Sequence, residues 1–263
     1  MPEIVLITPT GGRPEAFVMC QQMIQTQTVS PYRWIIIDDS PNALDRPTTV
    51  IGEVMCADKK WAPGHNTQRE NLNQAFETIG EPSPDRLIFF IEDDDYYNSK
   101  YLEVMSGYLA HINFVGISDS RYYNLMIPGY KYMRNFSHSS LANTGFRDTE
   151  RNRDLVMQAI NSGHYYIDIE LWKQVHSRRI TNVLVSHTNL SIGIKGLPGR
   201  RGLGAGHSRE GYFLDEDLSV LENWLDGDAF MYNKFIKHEG LPPPKSMSEI
   251  RQKLTEPERF PKL

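Results

Sequence analysis

The segment that most constrains this chain is residues 86–97, where a short apolar run leads directly into four consecutive carboxylates. Residues 87–91 have the composition of a buried strand, and Glu92, Asp93, Asp94 and Asp95 follow without a spacer. Neighbouring anions repel each other by roughly 1 kcal/mol or more per close pair at a protein-like dielectric constant. A divalent cation would relieve that repulsion, and Mg²⁺ or Mn²⁺ prefers hard oxygen ligands of this kind. The alternative is a solvated acidic turn, although an apolar strand is an unusual way to enter one.

The first 115 residues alternate strand and helix patterns. This alternation predicts an α/β fold with a mostly parallel central sheet and flanking helices. Predicted strands cover residues 4–7, 34–37, 50–55 and 87–91, and predicted helices cover residues 15–27, 67–79 and 102–109. Ligands of such sheets bind beyond the carboxyl ends of the strands. Polar sequences follow three of these strands, at residues 8–10, 38–40 and 92–95, so we expect one cleft where they meet.

The pattern changes after residue 115. Residues 122–136 are rich in aromatic side chains, residues 163–175 resemble a strand followed by a short helix, and residues 218–238 predict a C-terminal helix. Residues 193–207 contain six glycines and three cations. This composition predicts a mobile loop whose Lys195, Arg200 and Arg201 could close over phosphate oxygens. The alternative for the loop is a solvated segment without a ligand.

Composition and charge narrow the class of protein. The chain is 40% hydrophobic and 23% charged, with a net charge of −5, which excludes a broadly basic nucleic-acid coat but not a local basic patch. The two cysteines, Cys20 and Cys56, have neither the spacing of a disulfide framework nor that of a metal site. No run of 18 apolar residues and no signal-peptide pattern occurs. We therefore expect a soluble, cytoplasmic protein.

Five of these motifs, in order, resemble nucleotide-sugar glycosyltransferases of the GT-A fold. Residues 7–13 and the Asp38-Asp39 pair resemble the opening of the animal glucuronyltransferases, and residues 68–71 resemble their Gln-Arg-Asn helix. Residues 92–103 resemble both the DXD motif of that family and the family-two glycosyltransferases. His207-Ser208-Arg209 resembles the late His-x-Arg of the metal and pyrophosphate site. The ordered match covers about residues 4–105, and the family's acceptor signature is not recognisable.

The resemblance implies a GT-A-like sheet and the metal-dependent transfer of a hexose-type sugar from a UDP-sugar to a hydroxyl acceptor. It implies a donor half at residues 1–115, an acceptor half at residues 116–210 and a helical extension at residues 211–263. Mn²⁺, or Mg²⁺, would be held by Asp93, Asp95 and His207. Residues 8–10 would line a uracil pocket, and Asp38 or Asp39 would accept the base N–H. The full set implied for donor binding is Thr8, Pro9, Thr10, Arg13, Asp38, Asp39, Arg69, Asp94, Lys195, Arg200 and Arg201.

A catalytic base is less well defined by the sequence. An inverting transferase needs a carboxylate near the acceptor hydroxyl, and the candidates are Asp148, Asp168 and Glu170. Asp168 and Glu170 alternate along a strand-like stretch, which would place both on one face. The acidic residues 215–217 also qualify, although they suit a helix N-terminus better. A retaining transferase does not require such a base, and the sequence leaves the stereochemistry open.

Two other functions remain open from the sequence. A nucleotidyltransferase on a similar sheet would also use a carboxylate and metal site, whereas the chain has no P-loop motif. A non-catalytic module that binds a nucleotide sugar or a glycan is the second alternative. The acceptor could be a glycan, a small molecule or a hydroxylated DNA base, the last suiting a phage-type enzyme in a host cytoplasm. Basic residues for a DNA groove exist at positions 178, 179, 195, 200 and 201.

Overall fold

The computed structural model describes residues 2–42, 52–186, 188–200, 202 and 205–236. Its strands are β1 (Glu3–Thr10), β2 (Arg33–Asp38), β3 (Glu53–Cys56), β4 (Arg86–Phe90), β5 (Tyr96–Tyr97), β6 (Phe114–Ile117), β7 (Arg121–Asn124), β8 (Gly129–Tyr132), β9 (Thr144–Arg147), β10 (Asn182–Val185), β11 (Ser191–Lys195) and β12 (Phe213–Leu214). Its α-helices are α1 (Pro14–Gln25), α2 (Gln68–Ile79), α3 (Tyr101–Leu109), α4 (Glu150–Asn161), α5 (Ile167–Ser177) and α6 (Ser219–Leu225). Short 3₁₀ helices span Leu141–Asn143, Ala205–His207 and Asp228–Phe235.

A mixed α/β architecture with a mostly parallel central sheet is confirmed. Seven strands lie in the order β10-β6-β9-β4-β1-β2-β3, and only β9 runs antiparallel to its neighbours among the described pairs. Strands β6, β9 and β10 reach beyond the expected donor half, so the sheet continues past residue 115 without a break. A second sheet has the order β12-β8-β7-β11-β5. The division into halves and an extension stays a prediction.

Helices cover both faces of the large sheet because its strands are apolar on both sides. Within β1, Ile4 and Leu6 belong to one buried cluster, and Val5 and Ile7 belong to the other. The first cluster includes residues of α1, α3 and α6, and the second includes residues of α2, α4 and α5. Continuous apolar runs are typical of parallel strands that are buried on both faces. The core therefore holds the carboxyl ends of β1, β2 and β4 in fixed positions.

Strand β1 is longer than the sequence predicts. The predicted strand ends at residue 7 because Pro9 and Gly11 are typical of a loop, but β1 continues to Thr10. The amide of Ile91 donates to the carbonyl of Ile7, so the backbone N–H and C=O groups of odd-numbered residues in β1 face β4. The β4 ladder has ended before Pro9, and the missing N–H of this proline therefore removes no ladder hydrogen bond.

Three further predictions of secondary structure are wrong. Residues 167–170 begin helix α5 rather than a strand, because Ile167, Leu171 and Val175 recur at helical spacing on its buried face. Residues 193–195 are the end of buried strand β11 rather than part of a loop. The predicted helix at 218–238 is interrupted after α6, where Asp226 and Gly227 adopt the left-handed conformation. Residues 50 and 51 of the third predicted strand, and residues 201, 203, 204, 237 and 238, lie outside the described residues.

The described helices are all too short or too polar to cross a lipid bilayer. Cys20 is buried and Cys56 is exposed, and neither forms a disulfide.

Candidate active site

The acidic segment forms a tight turn at the carboxyl end of β4. The backbone amide of Glu92 donates to the hydroxyl of Tyr97 at 2.9 Å, which folds the chain back into β5. Asp94 and Asp95 are buried and Glu92 is half-buried. One carboxylate oxygen from each of these three residues lies within 4.8 Å of the other two. The fold therefore concentrates oxygen ligands at the place where the sequence predicts a metal.

Two cations from distant parts of the chain reach this turn. Arg13, just before α1, bridges Asp93 at 2.5 Å and Asp94 at 2.8 Å. Lys195 ends β11, which pairs antiparallel with β5, and its Nζ lies 2.8 Å from Asp95. Burial acts to raise the pKa of Asp94, but Arg13 and Lys195 reverse that effect and lower it. Burial and the charges of Asp95 and Asp94 raise the pKa of Glu92 to about 8, so without a cation at the turn this carboxyl favours its protonated form at neutral pH.

The carboxylates of this turn fit a divalent cation. Four carboxylates face two cations here, so a formal charge of −2 remains when all are ionised. Asp94 also has a buried Oδ1 without a hydrogen-bond partner among the described residues. Oxygen ligands of this type suit Mg²⁺ or Mn²⁺.

The carboxylates that lie together differ from those expected as metal ligands. Asp93 accepts a hydrogen bond from Thr10 at 2.5 Å and pairs with Arg13, and it lies outside the three-carboxylate group. Glu92 takes its place beside Asp94 and Asp95. His207 lies in the wall of the adjoining cavity, outside that group as well.

A cavity of about 570 Å³ opens at this edge of the sheet. The residues that line it include Arg13, the three grouped carboxylates, Lys195, Arg200 and His207. A first set of lining residues, which we name the Asp39 group, comprises Pro9, Asp39, Trp61, Thr67, Gln68 and Asn71. A second set, the Asp168 group, comprises Ser120, Tyr122, Asn135, His138, Tyr165, Tyr166 and Asp168. One continuous space therefore joins the acidic turn to two chemically different walls.

Asp39 is the polar centre of its group. It is fully buried and directly follows β2. Asn71 donates to its Oδ2 at 3.0 Å, and the Thr67 hydroxyl donates to the same oxygen. Arg200 donates to its Oδ1 at 2.6 Å and lies over the ring of Trp61, 5.4 Å from the centroid. The backbone of Arg200 is fixed as well, because its amide donates to the carbonyl of Gly12 at 3.2 Å. A planar N–H donor thus already occupies the space between Trp61 and Asp39.

The Asp168 group is aromatic and holds one carboxylate. Asp168 lies in the first turn of α5, and burial raises its pKa. Tyr165 and Tyr166 precede the helix, are 57% and 41% exposed, and contact each other edge to face at 4.7 Å between ring centroids. The Nζ of Lys195 lies 5.2 Å from the centroid of the Tyr122 ring, so a cation borders this group on the side of the acidic turn. A neutral ring could lie against these tyrosines while Asp168 receives a proton from it.

The chain is similar in fold to solved nucleotide-sugar transferases. It is 12% identical to S. aureus TarS, with a TM-score of 0.46 over 74% of this chain and 37% of that one. For S. aureus TarS in complex with UDP-GlcNAc the identity is 12% and the TM-score 0.46, over 95% of this chain and 78% of that one. The mannosyltransferase PcManGT from Pyrobaculum calidifontis, in complex with GDP-Man and Mn²⁺, gives 10% identity and a TM-score of 0.49 over 75% and 57%.

These similarities concern the fold and carry no argument about activity at such low identities and TM-scores. The chain spans 37% of the length of the first TarS structure, 78% of that in complex with UDP-GlcNAc and 57% of PcManGT. No family model and no curated protein matches the sequence.

Several residues expected to bind the donor lie outside the cavity. Thr8 is buried and accepts a hydrogen bond from the indole of Trp34 at 2.9 Å. Asp38 forms an Asx turn with Ser40. Arg69 donates to the carbonyl of Ile160 at 2.8 Å, at the end of α4. Of residues 8–10 only Pro9 lines the cavity. Arg201 is outside the described residues.

Two of the three proposed bases lie away from the cavity wall. Asp148 is fully buried and pairs with Arg86 at 2.9 Å and with Arg153 at 2.5 Å. Glu170 pairs with Lys173 and accepts a hydrogen bond from Gln174. In a helix, residues two apart differ by about 200°, so Glu170 cannot share the face of Asp168. Asp215 caps α6 by accepting from the amides of residues 220 and 221.

Trp61 and Asn71 are site residues that sequence reasoning missed. Trp61 follows β3 in a segment without periodicity, so nothing in the sequence links it to Asp39. Asn71 lies two residues after the predicted Arg69, and the helical spacing that buries Leu72 and Ala75 also turns Asn71 toward Asp39.

Proposed function

We propose that this protein is a metal-dependent glycosyltransferase that moves a hexose-type sugar from a UDP-sugar to a hydroxyl acceptor. The observation that carries this proposal is the group of Glu92, Asp94 and Asp95 in the wall of a cavity that Asp39 and Asp168 also line. A sugar nucleotide needs a place for a base, a place for a diphosphate and a place for an acceptor. The Asp39 group, the acidic turn and the Asp168 group match these needs in that order.

The acidic turn would bind the diphosphate. A divalent cation held by Glu92, Asp94 and Asp95 would neutralise the charge that grows on the leaving diphosphate. Arg13 and Lys195 are already fixed beside it by ion pairs with buried carboxylates. Because these two side chains are positioned before the ligand arrives, little reorganisation is needed when charge develops.

The Asp39 group would bind the base. Asp39 would accept a ring N–H, with Thr67 and Asn71 holding its carboxylate in position, and Trp61 would contact the ring face. An N–H donor between Trp61 and Asp39 is the chemistry that Arg200 now supplies. Uracil presents such an N–H, whereas cytosine presents an acceptor at the same ring position.

Asp168 would act as the general base. Apart from Asp39 and the three carboxylates of the turn, it is the acidic residue that lines the cavity in the described chain. A raised pKa brings a carboxylate closer to the value at which it can accept a proton and still be ionised near neutral pH. The hydroxyl oxygen of the acceptor would then attack the sugar carbon as its proton passes to Asp168, and the bond from that carbon to the diphosphate oxygen would break to release UDP.

A donor panel tests this proposal. UDP-, GDP- and TDP-sugars are incubated with Mn²⁺ and candidate acceptors, and free nucleoside diphosphate and pyrophosphate are quantified separately. We expect UDP release from a UDP-sugar by the wild type, and loss of that release in Asp95→Asn. Asp154→Asn, at an exposed position of α4, is the matched control. Release of pyrophosphate would instead indicate nucleotidyl transfer, and binding of a UDP-sugar without turnover across the panel would indicate a binding module.

A further inference from the structure

Tyr122 lines the cavity beside the acidic turn, and no step of the proposed transfer uses it. The residue is half-buried on β7, and its hydroxyl is neither enclosed nor hydrogen-bonded within the described chain. Tyr123, the next residue, points to the other face of the strand, is fully buried and donates to Asp215 at 3.0 Å. The hydroxyl of Tyr122 is therefore available to a ligand, whereas that of Tyr123 is not.

Two glycines leave room for the Tyr122 ring. Gly193 is the register partner of Tyr122 on β11, and a Cβ on Gly193 would overlap the Cδ1–Cε1 edge of the ring. A Cβ on Gly206 would lie 2.7 Å from the same Cδ1. Neither glycine has a positive φ, so the backbone conformation does not require glycine at these positions. The ring requires it, and the two glycines fix its position before any ligand binds.

Charged groups on both sides locate the Tyr122 side chain. The Nζ of Lys195 lies 5.2 Å from the ring centroid and 2.8 Å from Asp95, which connects the ring to the acidic turn. Burial raises the pKa of Tyr122, Lys195 opposes that effect, and the negative charges of Asp95 and Asp168 add to it. The hydroxyl therefore stays protonated and can donate. Since both carboxylates are near enough to act on it, Tyr122 borders the space between the acidic turn and Asp168.

The transferred sugar must occupy this space in the proposed reaction. The bond that breaks joins the sugar to the diphosphate at the acidic turn. The bond that forms joins the sugar to the acceptor oxygen, whose proton passes to Asp168. A tyrosine presents an apolar ring and a polar tip, and a sugar presents C–H groups and hydroxyls to match them.

We propose that Tyr122 is a specificity-determining residue that binds the transferred sugar, with its hydroxyl forming a hydrogen bond to one sugar hydroxyl. This inference rests on the proposed function. The acceptor is the other source of a hydroxyl in this cavity. The donor sugar is favoured because the ring packs against Lys195, the cation that is paired with the acidic turn.

Calorimetric titrations with Mn²⁺ and without an acceptor test this assignment. The ligands are UDP, UDP-glucose, UDP-galactose and UDP-N-acetylglucosamine, and the proteins are the wild type, Tyr122→Phe and Tyr32→Phe. Tyr32 is 71% exposed and lies just before β2, at the opposite end of that strand from Asp39, so it provides the matched control.

Tyr122→Phe should bind UDP as the wild type does. It should bind the sugar nucleotide that the wild type prefers about 3–10-fold more weakly, the range of one hydrogen bond between neutral groups. Tyr32→Phe should change neither affinity. Monodeoxy analogues of the preferred sugar nucleotide then identify the partner hydroxyl. One analogue should bind the wild type and Tyr122→Phe equally, because the hydrogen bond is absent from both complexes.

Three results would overturn the inference. The first is equal affinity of the wild type and Tyr122→Phe for every sugar nucleotide. The second is an equal loss of affinity for UDP, which would mean that the hydroxyl only supports the shape of the site. The third is an effect confined to the KM of the acceptor, which would assign the hydroxyl to the acceptor. If the wild type binds neither UDP nor a UDP-sugar, the proposed function fails, and this inference fails with it.

Discussion

If the Asp39 group binds a nucleobase as proposed, Arg200 occupies its position, and removal of the Arg200 side chain should strengthen nucleoside binding while it destabilises the unliganded protein. Its guanidinium donates to Asp39 at 2.6 Å and lies 5.4 Å from the centroid of Trp61. Uridine must displace both contacts before it can bind between these residues. In Arg200→Ala the competitor is gone, so uridine should bind more tightly, whereas the unliganded protein should be less stable because Asp39 loses a buried partner.

The magnitude follows from the two contacts. A hydrogen bond to a charged group contributes about 1.5–3 kcal/mol, and an exposed cation–π contact about 0.5–1 kcal/mol. The Arg200 side chain is 20% exposed, and when displaced it recovers part of this energy from water and from the carboxylates nearby. We therefore expect a net gain of about 1–2 kcal/mol for uridine, which is about 5–30-fold in affinity.

UDP should respond less than uridine. Arg200 lines the same cavity as Arg13 and Lys195, and once displaced from Asp39 its guanidinium would be available to the diphosphate. The variant loses this contact, so the ratio of UDP to uridine affinity should fall. Isothermal titration calorimetry of both ligands measures the ratio, with Arg209→Ala as the control for uridine. Unchanged or weaker uridine binding by Arg200→Ala would refute the displacement argument.

Further predictions concern the base, the buried ion-pair network and the glycine-rich segment. Asp168→Asn should lower kcat by about 10²–10⁴-fold with little effect on donor affinity. Burial raises the pKa of Asp168, and a base acts only when it is ionised. In a pH–rate profile, the loss of wild-type kcat/KM toward low pH should therefore have its midpoint above about 3.9, the ordinary pKa of aspartate. Asp148→Ala leaves Arg86 and Arg153 without their buried partner and should lower the free energy of unfolding by about 3–5 kcal/mol in urea titrations, with unchanged UDP affinity of the folded protein. Trypsin cleavage after Arg200 should be slower with UDP and Mn²⁺, and equal rates would exclude a donor lid.

The parts of the fold that the sequence predicts correctly are those that local pattern determines. Strands β1, β2 and β4 are apolar runs, and α1 and α2 have apolar residues at helical spacing, so their existence and type follow from the residues themselves. The polar sequences after the three strands meet at one cleft because parallel strands end on the same edge of a sheet. The prediction that β1 ends before Pro9 is wrong, because the pairing with β4 has already ended there and the missing N–H of Pro9 removes no hydrogen bond.

The parts of the site that the sequence could not predict depend on distant pairings. Lys195 reaches Asp95 only because β11 pairs with β5, and the spacing of 100 residues carries no signal of this contact. Asp93, expected as a metal ligand, is bound by Thr10 and Arg13, and Glu92, for which no role was expected, lies in the three-carboxylate group. Asp168, predicted as a candidate base on a strand, lines the cavity from a helix instead, and its role as a base stays a prediction.

The dependence of UDP affinity on Mn²⁺ tests the central claim most directly. UDP is titrated calorimetrically into the wild type, Asp95→Asn and the exposed control Asp154→Asn, each with and without Mn²⁺. If the acidic turn holds a cation that binds the diphosphate, Mn²⁺ should raise UDP affinity at least tenfold in the wild type and the control, and should have little effect in Asp95→Asn. Equal UDP affinity with and without Mn²⁺ in the wild type, or the same Mn²⁺ effect in Asp95→Asn, would contradict the account.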